Sequence, residues 1–185
     1  MGRKERQKRK RRLHFLKKLI DIGVFLLIVL VITFILNQYI IERCEIHNLS
    51  MAPTLDSGDV VLVDKLTYRN RKPKRYEIIF FNNESDNEEL VKRVIGLPGE
   101  TVRLAGGKIF IDGEAIDDID GLKGPFDAGL AEKDFVLGDD EYFVLGDNRE
   151  VSIDSRSKDV GAIKSDSIIG KSFIRIKPIG KFVVK

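Results

Sequence analysis

Two short segments of the chain carry residues that together could do covalent chemistry. Ser50 lies in the polar, proline-bearing segment Asn48–Leu55, and Lys92 lies in the apolar run Leu90–Glu100. A serine hydroxyl is a weak nucleophile and needs a neighbouring base. A lysine amine can be that base if burial lowers its pKa from about 10.4 by about two to three pH units. A lone lysine in a strand is usually a surface residue, so the hypothesis of a Ser/Lys site depends on the pairing of the two segments.

The histidines and a third polar segment complete the candidate chemistry. His14 lies in the basic N-terminal segment, and His47 comes three residues before Ser50, where an extended strand would direct it to the opposite face. A Ser-His-Asp triad is therefore not expected. Residues 146–156 contain three acids, two arginines and two serines after a strand-like run. This segment is either a turn held by local ion pairs or a support in which one hydroxyl orients the lysine amine.

Composition excludes several classes of function. The chain has 185 residues and a net charge of +3, but residues 1–18 carry ten Lys/Arg against Glu5, or +9, and residues 19–185 carry 22 basic against 28 acidic residues, or −6. The mildly acidic body argues against nucleic acid as a partner. Cys44 is the only cysteine, which excludes an intramolecular disulfide and a multi-cysteine metal site. We expect neither a metal nor an organic cofactor.

An apolar run near the N-terminus predicts a membrane anchor. Ile22–Leu36 is free of charged residues and continues to Ile41, giving about 20 residues, enough to cross roughly 30 Å of hydrocarbon. A cleaved signal peptide would have a shorter apolar region and would end in small residues, which the segment Asn37–Arg43 lacks. We therefore expect an uncleaved helix.

The basic residues before the apolar run predict its orientation. By the positive-inside rule, residues 1–18 form a cytoplasmic tail, residues 19–41 a single transmembrane helix, and residues 42–185 an extracytoplasmic domain. The protein is thus predicted to lie in the cell membrane, with the lipid bilayer and its anionic headgroups as a contact of the tail.

After residue 42 the chain has the pattern of an all-β domain, a coiled and partly closed antiparallel sheet. Asp112-Gly113 is a strong hairpin signal, and Gly106-Gly107 joins two of the predicted strands. Seven predicted strands are rich in β-branched and aromatic residues: 60–63, 77–81, 90–95, 101–104, 108–111, 141–145 and 168–176.

Two regions allow alternatives. Ile78–Phe81 is expected to be core rather than a membrane-inserted strand. Residues 117–140 are expected to form a loop or a small excursion, whose acids have no EF-hand spacing and are taken as a solvated face rather than a calcium site. Those acids are Asp117, Asp118, Asp120, Asp139 and Asp140.

The three segments described above and a fourth, Ser57–Lys65, together resemble the motif set of the type I signal peptidases, also called leader peptidases. The resemblance rests on Ser-Met-x-Pro-Thr-Leu, Gly-Asp before a strand, Lys-Arg-Val-Ile-Gly-Leu-Pro-Gly, and Gly-Asp-Asn-Arg with Ser-x-Asp-Ser-Arg, all in the family's order. These matches run from about residue 45 to residue 156. The short stretch between Gly99 and Gly146 resembles the compact forms of the family.

The resemblance implies an endopeptidase that removes signal peptides from exported preproteins at the outer face of the membrane, with small residues preferred at P1 and P3. Ser50 would be the nucleophile that forms an acyl-enzyme, and Lys92 the general base. Exported preproteins are then the partners, and the protein-export translocon is a further candidate. The implied supporting residues are Ser152, which would hold the lysine amine, Asp154 and Arg156, which would form an ion pair, and Met51, Pro53 and Thr54, which would shape the nucleophile turn.

One position departs from the family pattern. Where the family usually has Ser or Gly two residues before the nucleophile, this chain has Asn48. An Asn amide can donate to an oxyanion, so we expect Asn48 to replace the family hydroxyl. The alternative is a catalytically silent, membrane-tethered β domain that binds exported peptides or a translocation partner. A self-cleaving repressor-type protease is disfavoured because residues 1–18 are too short for a DNA-binding domain.

Overall fold

A computed structural model describes residues 3–119 and 127–180 of the chain, in two compact units, Met1–Ile40 and Ile41–Lys185. The first unit contains one helix, α1 (Arg3–Tyr39), in which the stretch Arg12–Ile35 has a mean hydropathy of 2.6 and is long and apolar enough to cross a membrane. The sequence placed Ile41 at the end of this helix. Ile41 is instead the first residue of a strand, in which it pairs with Asp64. The apolar run of the sequence therefore extends past the end of the helix.

The regular elements of the second unit are mostly strands. Its two 3₁₀ turns are Gly129–Glu132 and Ser165–Ser167, and its one α-helical turn among the described residues is α2 (Thr67–Asn70). The strands are β1 (Ile41–Glu45), β2 (Val60–Asp64), β3 (Ile78–Asn82), β4 (Glu89–Gly96), β5 (Thr101–Ala105), β6 (Lys108–Ile111), β7 (Glu114–Ile116), β8 (Phe135–Val136), β9 (Glu141–Leu145), β10 (Ile163–Lys164), β11 (Ile168–Lys177) and β12 (Ile179–Gly180).

The strands form two antiparallel sheets. The larger has the order β1-β2-β11-β3-β4-β9-β10, with β12 paired to β11, and the smaller has the order β7-β6-β5-β8. In the part of the chain that the structure describes, neither sheet closes into a barrel, and the prediction of an all-β, partly closed antiparallel domain is confirmed. Strand β4 is the element that matters for the site, because it pairs with β3 from Glu89 to Arg93 and with β9 from Arg93 onward.

Local sequence signals explain much of this fold. Asp112 and Gly113 both have positive φ, 51° and 83°, as a type I′ hairpin between β6 and β7 requires. All four side chains of Ile78–Phe81 are buried, so the prediction that this strand is core is confirmed. The seven strands expected from residue type are all present within one or two residues of their predicted bounds.

The short strands were not predicted. β7, β8, β10 and β12 have two or three residues each, too few for an alternating pattern to stand out. β1 was not predicted either, and only its first residue, Ile41, falls in the predicted anchor. The prediction of a solvated acidic face was wrong for Asp118, whose carboxylate accepts a hydrogen bond of 2.9 Å from the guanidinium of Arg149 and is largely buried. Asp120 lies outside the described residues.

Candidate active site

The turn that carries Ser50 is fastened to the core by its neighbours. Met51 and Leu55 are fully buried, and both pack in an apolar cluster with residues of β2, β3 and β4. The Leu55 N–H donates to the Met51 carbonyl at 2.9 Å, which closes the turn between them. Pro53 is exposed, while Ser50 is only 7% exposed. The hydroxyl therefore lies at the edge of the core, on a turn anchored by two buried side chains.

Lys92 meets this hydroxyl from strand β4. Its side chain is 1% exposed, and Nζ donates to Ser50 Oγ at 2.9 Å. Burial lowers the pKa of Lys92 to about 8, although the carboxylates of Asp154 and Asp147 act to raise it. A lysine with this pKa is partly neutral near physiological pH and can accept a proton. The geometry thus brings together the two residues that the sequence singled out.

The neighbouring residue Arg93 faces the other side of β4, as strand alternation predicts. It is also completely buried, and its guanidinium holds the Asp147 carboxylate with two hydrogen bonds of 2.8 and 2.5 Å. Two further contacts join it to the Tyr76 carbonyl at 2.8 Å and to Thr54 Oγ1 at 3.4 Å. Sequence analysis missed this pair. It links β4, the nucleophile turn and the loop after β9.

The loop after β9, residues 146–156, packs directly on the backbone of the nucleophile turn. The Asn148 N–H donates to the Ser50 carbonyl at 3.0 Å. Gly146 lies so close that a Cβ built on it would be 2.5 Å from the Ser50 carbonyl oxygen and 2.1 Å from Ser152 Oγ. Only glycine fits this approach without displacing its neighbours. The motif Gly-Asp-Asn-Arg is therefore a structural support for Ser50.

The Asp154–Arg156 ion pair implied by the resemblance is present. The guanidinium donates to both carboxylate oxygens, at 2.8 and 2.9 Å, and Asp154 is fully buried. Asp154 Oδ2 also accepts a hydrogen bond of 2.9 Å from the Gly146 N–H. The pair therefore fixes the start of the loop as well as its end, and it supplies one of the carboxylates that raise the pKa of Lys92.

Ser152 lies in the same loop, and its Oγ is buried without a hydrogen-bond partner. The structure therefore gives no hydrogen bond between Ser152 and the Lys92 amine. Its role in holding the amine stays a prediction. Because a buried hydroxyl is rarely left without a partner, Ser152 has a hydrogen bond to offer when the site binds substrate or changes protonation state.

Asn48 contacts Ser50 in a way that the sequence did not anticipate. Its Oδ1 accepts hydrogen bonds from the Ser50 N–H at 3.2 Å and from Ser50 Oγ at 2.7 Å. The amide oxygen rather than the amide nitrogen therefore faces Ser50. The role of Asn48 as an oxyanion donor stays a prediction, and this arrangement does not display it.

One group in the described part of the chain brings three candidate metal-binding side chains together, two carboxylates and one thiol. The side-chain ligand atoms of Glu42, Cys44 and Glu89 all lie within 4.8 Å of one another. However, Glu42 forms an ion pair with Lys65 at 2.8 Å, and burial together with the two glutamates raises the pKa of the Cys44 thiol to about 11. A protonated thiol and an engaged carboxylate are poor metal ligands.

The sequence matches a known protein family along most of its length. The model of the family described as signal peptidase, peptidase S26, matches residues 19–177. The chain belongs to this family. The match confirms the resemblance to type I signal peptidases and the prediction of a peptidase, and α1 fits a membrane-anchored member of the family.

Three signal peptidases align with this chain over most of their own length. The chain is 34% identical to signal peptidase I of Leptolyngbya laminosa over 154 residues, covering 79% of this chain and 73% of that protein. It is 31% identical to signal peptidase IB of Staphylococcus aureus over 181 residues, covering 90% and 93%. It is 30% identical to the probable signal peptidase I-2 of Synechocystis over 167 residues, covering 86% and 74%.

One solved structure is similar to this chain. It is a signal peptidase I from Enterococcus faecalis, 32% identical in sequence, with a TM-score of 0.46. The match covers 55% of this chain and 97% of the solved chain.

Proposed function

We propose that this protein removes signal peptides from exported preproteins with a Ser50/Lys92 dyad. The observation that carries the proposal is the hydrogen bond of 2.9 Å between Lys92 Nζ and Ser50 Oγ, both in side chains shielded from solvent. A nucleophile and a base within hydrogen-bond reach are what acyl transfer requires. Membership of the signal peptidase family supports the choice of substrate.

The proposed reaction has two halves. Neutral Lys92 takes the Ser50 proton as Oγ bonds to the scissile carbonyl carbon, and the resulting ammonium then gives a proton to the leaving amine nitrogen as the C–N bond breaks. The product of this half is an ester of Ser50 with the signal peptide. Lys92 next takes a proton from water, whose oxygen attacks the ester carbonyl, and the ammonium returns a proton to Ser50 Oγ as the C–O bond breaks.

The lowered pKa of Lys92 supports its role as the base. With a pKa of about 8, roughly a tenth of the amines are neutral at pH 7 and half at pH 8. An ordinary lysine with a pKa of about 10.4 would be almost entirely protonated at both values. Burial therefore makes the base available without a histidine.

An extended substrate segment has a place to bind between two strand edges. Among the described residues, β1 pairs only with β2, and β4 pairs with β9 only from Arg93 onward, so the stretch Glu89–Val91 of β4 has a free edge there. A cleft of about 460 Å³, lined by residues of β1 and the start of β4, lies between them and reaches Asn48. An added strand there would satisfy these free backbone groups. The preference for small residues at P1 and P3 is part of the proposal.

We further propose an orientation of the chain in the membrane. Residues 1–18 would form a cytoplasmic tail and residues 19–41 a single-pass anchor, so that residues 42–185 act on the outer face of the cell membrane. The basic tail before an apolar helix supports this orientation. Substrate emerging from the protein-export translocon would meet the site there, which makes the translocon a candidate partner.

The test is cleavage of a preprotein with an Ala-x-Ala site in lipid or detergent. The wild type is expected to release the signal peptide, and Ser50→Ala and Lys92→Ala to lose cleavage, since each removes one member of the dyad. Lys108→Ala is the matched control for the lysine, because Lys108 is exposed on β6, in the smaller sheet, and outside the proposed chemistry and cleft. If the wild type binds the preprotein without cutting it, the protein is the peptide-binding domain considered from the sequence.

A further inference from the structure

Asn48 is tied to Ser50 by the two hydrogen bonds described above, one from the backbone N–H and one from the hydroxyl. A backbone N–H can only donate, so the side-chain atom 3.2 Å from it must be the amide oxygen. A hydrogen bond from the backbone N–H to the side-chain oxygen of the Asn two residues earlier defines an Asx turn, which Asn forms readily. The identity of the facing atom is therefore set by the backbone.

The same oxygen ends a row of three polar groups. Lys92 Nζ lies 2.9 Å from Ser50 Oγ, and Ser50 Oγ lies 2.7 Å from Asn48 Oδ1. Ser50 Oγ has one proton to donate. When Lys92 is an ammonium, it has only protons to offer, so Ser50 must accept from it and donate to Asn48. When Lys92 is neutral, its lone pair can take the Ser50 proton instead.

We propose that Asn48 is a positioning residue whose amide oxygen holds the Ser50 hydroxyl and N–H in a resting arrangement that favours charged Lys92. The inference rests on the Ser50/Lys92 function proposed above. Attack requires the hydroxyl to turn from Asn48 to Lys92. Stabilisation of the oxyanion by the Ser50 N–H requires Asn48 Oδ1 to leave that donor, and the scissile carbonyl oxygen would take its place.

The charged groups near Lys92 are already paired with other residues, so its direct hydrogen bond is to Ser50. The charged groups that act on the amine are the carboxylates of Asp154 and Asp147. Each is engaged by a guanidinium, from Arg156 and Arg93 respectively, at 2.9 Å or less. In the part of the chain that the structure describes, Ser50 Oγ is the acceptor of the hydrogen bond from Nζ. Changes at Asn48 are thus transmitted to Lys92 through one hydroxyl.

Two substitutions are expected to change Lys92 in opposite directions. Asn48→Ala removes the acceptor that completes the row in the charged state, so the pKa of Lys92 should fall. Net hydrogen-bond strengths place the effect at about half a pH unit to one unit. Asn48→Asp keeps an acceptor of nearly the same shape and adds a negative charge within about 6 Å of Nζ, so the pKa should rise by about one unit.

The experiment measures kcat/KM for preprotein cleavage from pH 6 to pH 10, because its acid limb reports the pKa of the base in the free enzyme. We expect that limb to lie at lower pH in Asn48→Ala and at higher pH in Asn48→Asp. Matched controls are Asn82→Ala and Asn82→Asp on an exposed position of β3, which should leave the limb unmoved. Thermal unfolding of each variant checks that it is folded.

The outcomes separate this inference from the function on which it rests. If the acid limbs of both Asn48 variants coincide with that of the wild type, the proposed role of Asn48 is wrong. If Ser50→Ala also loses cleavage, the Ser50/Lys92 function is still supported. Shifts of the same sign in both variants, or equal shifts in the Asn82 controls, would also overturn it. Cleavage that persists in Ser50→Ala would instead remove the proposed function itself.

Discussion

Gly146→Ala is expected to impair the site through a clash with the backbone of the nucleophile turn. The added Cβ would lie 2.1 Å from Ser152 Oγ, 2.4 Å from Ser152 Cβ and 2.5 Å from the Ser50 carbonyl oxygen. Ordinary carbon contacts are about 3.5–4.0 Å, so the groups must separate by about 1 Å or more. One of them is backbone, which cannot rotate away as a flexible side chain can.

The size of the effect follows from that displacement. Crowding of a packed region costs about 1–3 kcal/mol of folding free energy. A misplacement of about 1 Å at reacting groups costs about a hundredfold in rate, which at 1.36 kcal/mol per tenfold is about 2.7 kcal/mol of transition-state stabilisation. We therefore expect kcat/KM for preprotein cleavage to fall by about two orders of magnitude in a protein that is still folded.

Gly96→Ala supplies the control for crowding alone. Its Cβ would lie 2.5 Å from Val102 Cγ2 and 2.7 Å from Leu137 Cδ1, in an apolar cluster that does not include Ser50. Urea unfolding should show destabilisation of both variants, and cleavage well below their unfolding midpoints should be lost mainly in Gly146→Ala. The reasoning is refuted if Gly146→Ala keeps wild-type kcat/KM, or if Gly96→Ala loses as much.

Three further predictions follow from the buried charges and hydroxyls. The kcat/KM of the wild type should rise with pH to half its maximum near pH 8, because the base form of Lys92 is the neutral one and its pKa is about 8; a pH-rate profile that is flat between pH 6 and pH 9 would contradict this. Asp147→Ala leaves Arg93 buried without its carboxylate, so urea unfolding should show a loss of about 3–5 kcal/mol, whereas Asp139→Ala on an exposed loop should change stability by less than about 0.5 kcal/mol. Ser152→Ala removes a hydroxyl that has no partner, so the free energy of unfolding should change by less than about 1 kcal/mol. A fall in kcat/KM at that unchanged stability would support a role in holding the Lys92 amine, and wild-type kcat/KM would argue against it.

Much of the fold was predictable because the signals for it are local. Runs of β-branched and aromatic residues located seven strands of four residues or more, and Asp112-Gly113 located a hairpin, since side-chain alternation and turn chemistry depend on residues close in sequence. The family motifs are local as well. The short strands β7, β8, β10 and β12 were missed because two or three residues carry no recognisable alternation. The partner of Asp118 was missed because Arg149 lies 31 positions away in sequence.

The candidate site divides in the same way. The sequence by itself determined which residues could act, because Ser50 and Lys92 are chemical types in recognisable segments, and alternation in a strand puts Lys92 and Arg93 on opposite faces. Only the tertiary structure decided that both faces of β4 are buried at this point. It also decided that Lys92 reaches a serine 42 positions away, that Arg93 meets an aspartate 54 positions away, and that the oxygen of Asn48 faces Ser50. Burial and charge pairing set these properties, and both depend on strand register and on the packing of distant loops, which no local pattern encodes.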